Sequence, residues 1–346
     1  MISPRGFASD NAATIHPAVL AAIARANVGH AFGYGHDRYT PTVEALLADQ
    51  FGDDARAFFV FNGSGANVLS LRASCRPFEA VICAATAHIN VDECGAPEAI
   101  AGVKLLAAET EHGKLTPQLV AEQIARVGDE HAVQPRVVSI SQCTELGTLY
   151  SLAELRAIAE LAHADGLRVH MDGARLSNAA ASLGVSLRAV TFEVGIDVLS
   201  FGGTKNGLLG GEAVVILTED LLEGFQYLRK QSLQLASKMR FLAAQFEALL
   251  EDELWLRCAS HANAMAARLA DGVRGLPGLT ITRPVESNAV FATLPSAATA
   301  ALREEFDFYV WEETSGEVRW MCSWDTTEED VDLFASAIRE TLQSGR

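Results

Sequence analysis

Ser200-Phe201-Gly202-Gly203-Thr204-Lys205-Asn206-Gly207 is the stretch on which the reading of this chain turns. It follows a short apolar, β-like run, Ile196–Leu199, and carries one lysine on a glycine-rich turn. A lysine there suits neither a helix face nor a core. It stands at the mouth of a sheet, where an amine can react. The same stretch also reads as a solvated turn, since most lysines are exposed.

Working outward, Leu167–Met171 reads as a strand, so the Asp172 carboxylate emerges where a sheet ends, ahead of a helix from Leu176 to Ala181. Phe58–Phe61 reads as a buried strand, and Asn62-Gly63-Ser64-Gly65-Ala66-Asn67 then opens a helix. That order aims free backbone N–H groups and a serine hydroxyl at one spot, which suits a phosphate. It is neither a Walker loop, since no lysine follows, nor a dinucleotide fingerprint, and alone it is also a plain βα connection. His88 follows the short strand Val81–Cys83, where a lone histidine is ordinarily structural.

Further strands are expected at Val103–Leu106, Arg136–Ser141 and Val214–Leu217. Helices are expected at His16–Ala26, with Ser9 or Asn11 as its cap, and at Pro41–Phe51, Thr116–Val127 and Leu152–Ala164. Alternating strands and helices imply an α/β fold with a mainly parallel, helix-covered sheet, whose ligands collect at the carboxyl ends of the strands. Ser64, His88, Asp172 and Lys205 all fall at such ends. The coincidence carries more weight than any one of them. The loop Gly29–Thr40, rich in glycine, histidine and aromatics, reads as a site or as a structural connection.

After Leu217 the texture changes. A helical pattern runs from Leu228 through Leu235, Met239, Leu242 and Phe246 to Leu249 on one apolar stripe, with Arg229, Lys230, Lys238 and Arg240 as its basic residues. From about Leu279 the order is strand, strand, helix, strand, strand, helix, and Arg319 interrupts the strand around Val318–Met321. Two domains are expected: a large one over 1–245, with an N-terminal arm at 1–15, and a small C-terminal α/β domain over 246–346.

The chain has 346 residues, with 27 basic against 44 acidic side chains and a formal charge of −17. Such a surface repels nucleic acid and anionic lipid, so neither is an expected partner, and an anionic ligand needs a locally basic pocket. Met1–Phe7 breaks at Pro4 before any signal-like apolar region forms, and no apolar run approaches a bilayer span. Six cysteines without C-x-x-C or metal-finger spacing point to reduced thiols in a cytoplasmic protein, with no metal read from the sequence.

A reactive lysine, an aspartate at a strand end and a phosphate-binding turn are together what pyridoxal 5'-phosphate requires. The segments His170–Arg175 and Ser200–Gly207 resemble the signatures of low-specificity L-threonine aldolases, in the aspartate aminotransferase-like group, fold type I, of pyridoxal phosphate enzymes. The resemblance continues through Ser9-Asp10-Asn11, Tyr34-Gly35, Phe61–Gly65, Ala87-His88-Ile89 and Glu317–Arg319, and so covers nearly the whole chain.

It implies Lys205 as the Schiff-base lysine, Asp172 as partner of the pyridine nitrogen, and Gly63, Ser64 and Gly65 on the phosphate. It implies His88 over the ring, and Ser9, Tyr34, Arg175 and Arg319 around the substrate, with arginine forks on its carboxylate. Arg240 matches a residue that reaches a neighbouring subunit's phosphate, so a homo-oligomer, dimer or tetramer, with its site at the interface is expected. The implied reaction cleaves a β-hydroxy-α-amino acid, such as L-threonine or L-allo-threonine, to glycine and an aldehyde, with His88 as the base, directly or through water.

Two alternatives stay open: a β-eliminating lyase on the same cofactor, and a non-catalytic protein of the same fold. One departure stands out. The loop Gln142-Cys143-Thr144-Glu145 holds no histidine where the better-known branch of the family has one, which leaves the base open and suggests a preference for bulkier aldehydes.

Overall fold

The computed structural model describes residues 6–344. The first five residues of the expected arm lie outside the described residues.

Eleven strands are described, in chain order β1 (Arg56–Val60), β2 (Glu79–Ala84), β3 (Lys104–Ala108), β4 (Gln134–Ser141), β5 (Arg168–Gly173), β6 (Val198–Gly202), β7 (Glu212–Ile216), β8 (Thr280–Ile281), β9 (Ala289–Thr293), β10 (Tyr309–Glu312) and β11 (Glu317–Met321). The first seven form one sheet in the order β1-β7-β6-β5-β4-β2-β3. From β3 to β6 every pairing is parallel, and β7 runs antiparallel to both β6 and β1. All five residues of β6 and of β7 are buried, as a sheet covered by helices on both faces demands.

Register then fixes the site. Ser141, Asp172 and Ser200 sit side by side at the ends of β4, β5 and β6, and Gly202, Glu212 and Val60 form a neighbouring row. Chain reversals beyond these rows carry the polar residues. The expected sheet and its strand order in sequence are as observed. Phe61, read as part of the first strand, instead lies past its end and is half-exposed.

Most expected helices agree to within two residues at each end, as with Leu152–Ala164, which a Ser151–Glu154 capping box starts. Three readings need correction. The helix Pro17–Ala26 is capped by His16, whose Nδ1 accepts from Ala18 N–H, while Ser9 caps the separate turn Asp10–Ala12. The helix after Thr116 stops at Gln123, and Arg126 beyond it takes a positive φ of 56°.

The single apolar stripe from Leu228 to Leu249 is two helices, Phe225–Gln231 and Arg240–Leu250. Leu233 between them is at φ 64° and 84% exposed. The break has a polar cause. Gln234 turns inward to accept the Phe61 N–H at 3.0 Å, and the Ser237 carbonyl accepts from Tyr34 N–H.

The second sheet, β10-β11-β9-β8, is antiparallel throughout. Its core gathers Val290, Ala292, Val318 and Trp320 with Leu269 and Phe334 of the helices Leu254–Val273 and Glu328–Ser344. Phe7 of the N-terminal arm stacks on Phe334 at 4.4 Å, so the arm packs on the C-terminal layer. Alternation along β11 buries Val318 and Trp320 in that core and turns Arg319 to the opposite face.

Candidate active site

Strand β6 stops at Gly202 because the chain passes too close to its neighbour for any side chain. A Cβ on Gly202 would lie 2.4 Å from the Ala174 carbonyl oxygen. One helical turn, Thr204–Asn206, follows, and it sets Lys205 at the sheet edge. Its amine is held below the usual lysine range, first by the Arg175 guanidinium and then by burial, against the pull of Asp10, Asp172 and Glu212. A less basic amine is a better nucleophile at neutral pH.

Asp172 closes β5. Its Oδ1 accepts from Ala174 N–H at 2.9 Å, and its Oδ2 accepts from Asn67 Nδ2 at 2.8 Å. Burial pushes the carboxyl up, but those two bonds and the charge of Lys205 outweigh it and hold it below the ordinary range. His170 lies behind, between Ser139 and Ser200, and burial depresses its pKa to about 4. An ionised, fixed carboxylate is what a protonated pyridine nitrogen needs opposite it.

The same Asn67 amide bonds Glu93 Oε1 at 2.8 Å, and that oxygen meets His88 Nδ1 at 2.9 Å. The Glu93 bond is the largest influence on His88 and raises its pKa, with burial opposing. A chain of bonded groups therefore runs Asp172–Asn67–Glu93–His88. His88, Glu93 and Asp172 bring three ligand-type atoms within 4.8 Å, yet these atoms bond one another and Asn67, which makes a network rather than a metal cage.

The turn at Asn62–Gly65 opens the helix Gly63–Ser74, with Asn62 as its cap. A Cβ on Gly65 would collide with the Gln234 side chain at 2.5 Å, whereas Gly63 faces open space. These pieces wall a cavity of about 280 Å³ lined by Gly63, Ser64, His88, Asp172, Thr204 and Lys205 among others. Glu212 backs it; burial pushes its carboxyl up to about 7, and it accepts from Gly203 N–H at 2.6 Å. A smaller chamber continues past Lys205 to Cys143, Glu145 and Arg175.

Pyridoxal phosphate fits these residues. A helix N-terminus and a serine stand at one end for the phosphate, a buried carboxylate at the other for the ring nitrogen, and an amine of lowered basicity between them.

The structure brings together Gly63, Ser64, His88, Asp172 and Lys205, with Gly65 in the same turn and Arg175 at the smaller chamber. Arg175 does not hold its fork free: Nε and Nη2 grip the buried Asp10 at 2.7 and 2.9 Å. Arg319 lines neither chamber. Its Nη2 donates to the Ala8 carbonyl at 3.2 Å, its plane lies over Trp311, and its buried Nε has no partner. Burial and nearby Arg175 lower it to about 10.

The Ser9 hydroxyl is occupied by Asn11 N–H. Tyr34 and Arg240 stand apart from the cavity, with Tyr34 half-exposed and Arg240 bonded to the Gly29 carbonyl at 3.2 Å. The sequence reading had no role for Asn67, Glu93, Asp10, Glu145 or Glu212 as site residues. Asn67 sits within a helix and Glu93 in the bend after the short helix His88–Val91, and their meaning comes from bonds spanning 26 and 105 positions.

Residues 6–297 match the model of the beta-eliminating lyase family. A low specificity L-threonine aldolase of Pseudomonas aeruginosa is 48% identical over 96% of this chain and 96% of its own length. One from a Pseudomonas species is 46% identical over 98% of each. The solved threonine aldolase of Leishmania major superposes with a TM-score of 0.93 at 33% identity, covering 97% of this chain and 99% of its own. The Lys205 turn, the Asp172 carboxylate and the Gly63 turn thus belong to a chain similar to these proteins along nearly its whole length, and this protein is a member of the beta-eliminating lyase family, closely related to the low-specificity L-threonine aldolases.

Proposed function

We propose that this chain is a pyridoxal phosphate-dependent aldehyde-lyase that cleaves L-threonine, L-allo-threonine and related β-hydroxy-α-amino acids to glycine and an aldehyde. The observation that carries the reading is one cavity holding Lys205, Asp172, His88 and the Gly63–Gly65 turn together. The names of the relatives at 46–48% identity select aldol cleavage over elimination.

When bound, the cofactor supplies an aldehyde for amine capture and a cationic ring that takes up the electron pair left on Cα. Gly63, Ser64 and Gly65 hold the phosphate, and Asp172 keeps the ring nitrogen protonated. Lys205, with its amine of lowered basicity, would hold the cofactor aldehyde. Arg319, with a buried and unpartnered Nε, grips the substrate carboxylate; Arg175, braced by Asp10, completes the wall with Ser9 beside them, and Tyr34 would reach the site of a neighbouring subunit. Anchoring the carboxylate would set which bond at Cα is aligned to break. His88 would face the cofactor ring; its Nδ1 is fixed by Glu93, which leaves Nε2 to take the β-hydroxyl proton, directly or through water.

Incubation with L-threonine tests the reaction. Glycine and acetaldehyde are expected; 2-oxobutanoate and ammonia instead would establish the eliminating lyase, and no product the non-catalytic alternative.

The working form is a homo-oligomer with the site at the interface. Arg240 and Tyr34 stand away from their own cavity, on a face that also exposes Val28, Phe32 and Leu233, the last two by 81% and 84%. A monomer in sedimentation at working concentrations removes that reading. The division at 245/246 is part of the same proposal: the large sheet lies wholly before it and the small sheet wholly after, while the helix Arg240–Leu250 runs across it. A cytoplasmic location accords with six free cysteines, and no helix among the described residues is long and apolar enough to cross a membrane.

A further inference from the structure

The loop after β4, which lacks a histidine, supplies a carboxyl group in its place. Glu145 is partly buried and lines the smaller chamber together with His88, Cys143, Arg175 and Lys205. Its two oxygens are treated very differently. Oε1 accepts twice, from Ser141 Oγ at 2.6 Å and from His88 N–H at 2.9 Å, whereas Oε2 is buried with no partner. An ionised carboxylate with one bare buried oxygen is costly. A carboxylic acid with a carbonyl oxygen that accepts two bonds and a hydroxyl waiting for an acceptor costs much less, because no charge is desolvated.

The groups around it agree. Asp172 and Glu93 are acidic neighbours of the chamber. Of the two cations, Arg175 is neutralised by Asp10, and Lys205 is held below its usual range. Burial, then Asp172, raise the Glu145 carboxyl against the pull of Ser141.

We propose that Glu145 works as a neutral carboxylic acid whose Oε2–H donates a hydrogen bond to the β-oxygen of the substrate as the Cα–Cβ bond breaks. This rests on the aldolase reading of the site. In the step, the β O–H proton passes to His88, the O–H electron pair becomes the C=O bond of the aldehyde, and the Cα–Cβ pair stays on Cα. Cα gains a proton overall, so the reaction is proton-neutral. Glu145 keeps its own proton throughout. It offsets the charge that grows on oxygen, as donors in an oxyanion hole do. In the synthetic direction the same hydrogen bond polarises the incoming aldehyde.

The test combines a spectrum with kinetics. Infrared difference spectra of wild type minus Glu145→Gln, in H2O and D2O at neutral pH, are expected to show a protonated-carboxyl C=O band that shifts on deuteration. A carboxylate band in its place overturns the proposal, whatever the activity. Glu145→Ala, which leaves no donor, is expected to lose about 10²- to 10³-fold in kcat. Glu145→Gln keeps an N–H donor and stays within about tenfold of wild type. Exchange of the α-protons of glycine, which involves no β-oxygen, continues in both variants. A Gln variant as impaired as Ala, or glycine exchange lost along with cleavage, overturns the proposal. A wild type that forms no glycine from threonine sinks the aldolase reading while the infrared band still reports on Glu145.

Discussion

The two sides of this site are built on opposite plans. On the cofactor side the polar side chains are tied to one another: Asp172, Asn67, Glu93 and His88 form one bonded chain with only Asn67 Oδ1 and Glu93 Oε2 left over within it, and the Asn62 side chain ties the phosphate turn. On the substrate side, buried donors and acceptors are left over, at Arg319 Nε and Glu145 Oε2. A group that stays bound through many turnovers rewards a rigid cradle whose side chains brace one another. A ligand that comes and goes needs atoms that only it can satisfy.

Substitutions on the two sides should therefore fail in different ways. The largest effect belongs to the closed side. Asp172→Asn keeps the size of the side chain but removes the charge opposite the ring nitrogen and one of the two accepted bonds, and kcat should fall by about 10²- to 10³-fold. The yellow colour of the loaded protein should persist, because Lys205 and the phosphate turn are untouched. A colourless Asn variant would mean that Asp172 holds the cofactor in place rather than tuning it.

On the open side, Arg319→Ala should raise KM about 10- to 100-fold, the worth of a charge-assisted hydrogen bond, with a smaller change in kcat. Arg319→Lys keeps the charge but loses the planar fork that lies over Trp311, and should recover only part of the affinity. If KM is unmoved and kcat falls, Arg319 aligns the reacting bond more than it binds, and the contrast between the two sides narrows.

The closed side was also the more legible in the sequence. Lys205, Asp172, Ser64 and His88 each follow an apolar run, so period and turn chemistry place them at strand ends without any knowledge of the neighbours. Their supports were not legible. Asn67 lies in the helix Gly63–Ser74, and its amide bridges Glu93 and Asp172 only once that helix crosses the sheet. Asp10 read as part of a capping stretch, and its bond to Arg175 spans 165 positions. The apolar stripe from Leu228 to Leu249 misled for a related reason. Side-chain periodicity cannot report that Gln234 is drawn out of the helix by a backbone N–H at Phe61, 173 positions away.

Glu93→Gln should give the smallest effect and the finest test of the closed side. The Glu93 bond is the leading cause of the raised pKa of His88, ahead of the opposing burial and of the charge of Asp172. As a base, His88 works in its neutral form, so kcat/KM rises with pH through the pKa of the imidazole. Glutamine keeps a hydrogen bond to Nδ1 but withdraws the negative charge, so the imidazolium loses stabilisation and its pKa falls. The acidic limb of the profile should therefore move to lower pH, while the plateau above it changes little. Two results would contradict this. A limb that stays in place assigns the ionisation to another group, and Glu145 is then the first to examine. A plateau that collapses shows that the charge on Glu93 holds the Asn67–Asp172 chain in position, which would make Glu93 a support of the ring nitrogen as much as of the base.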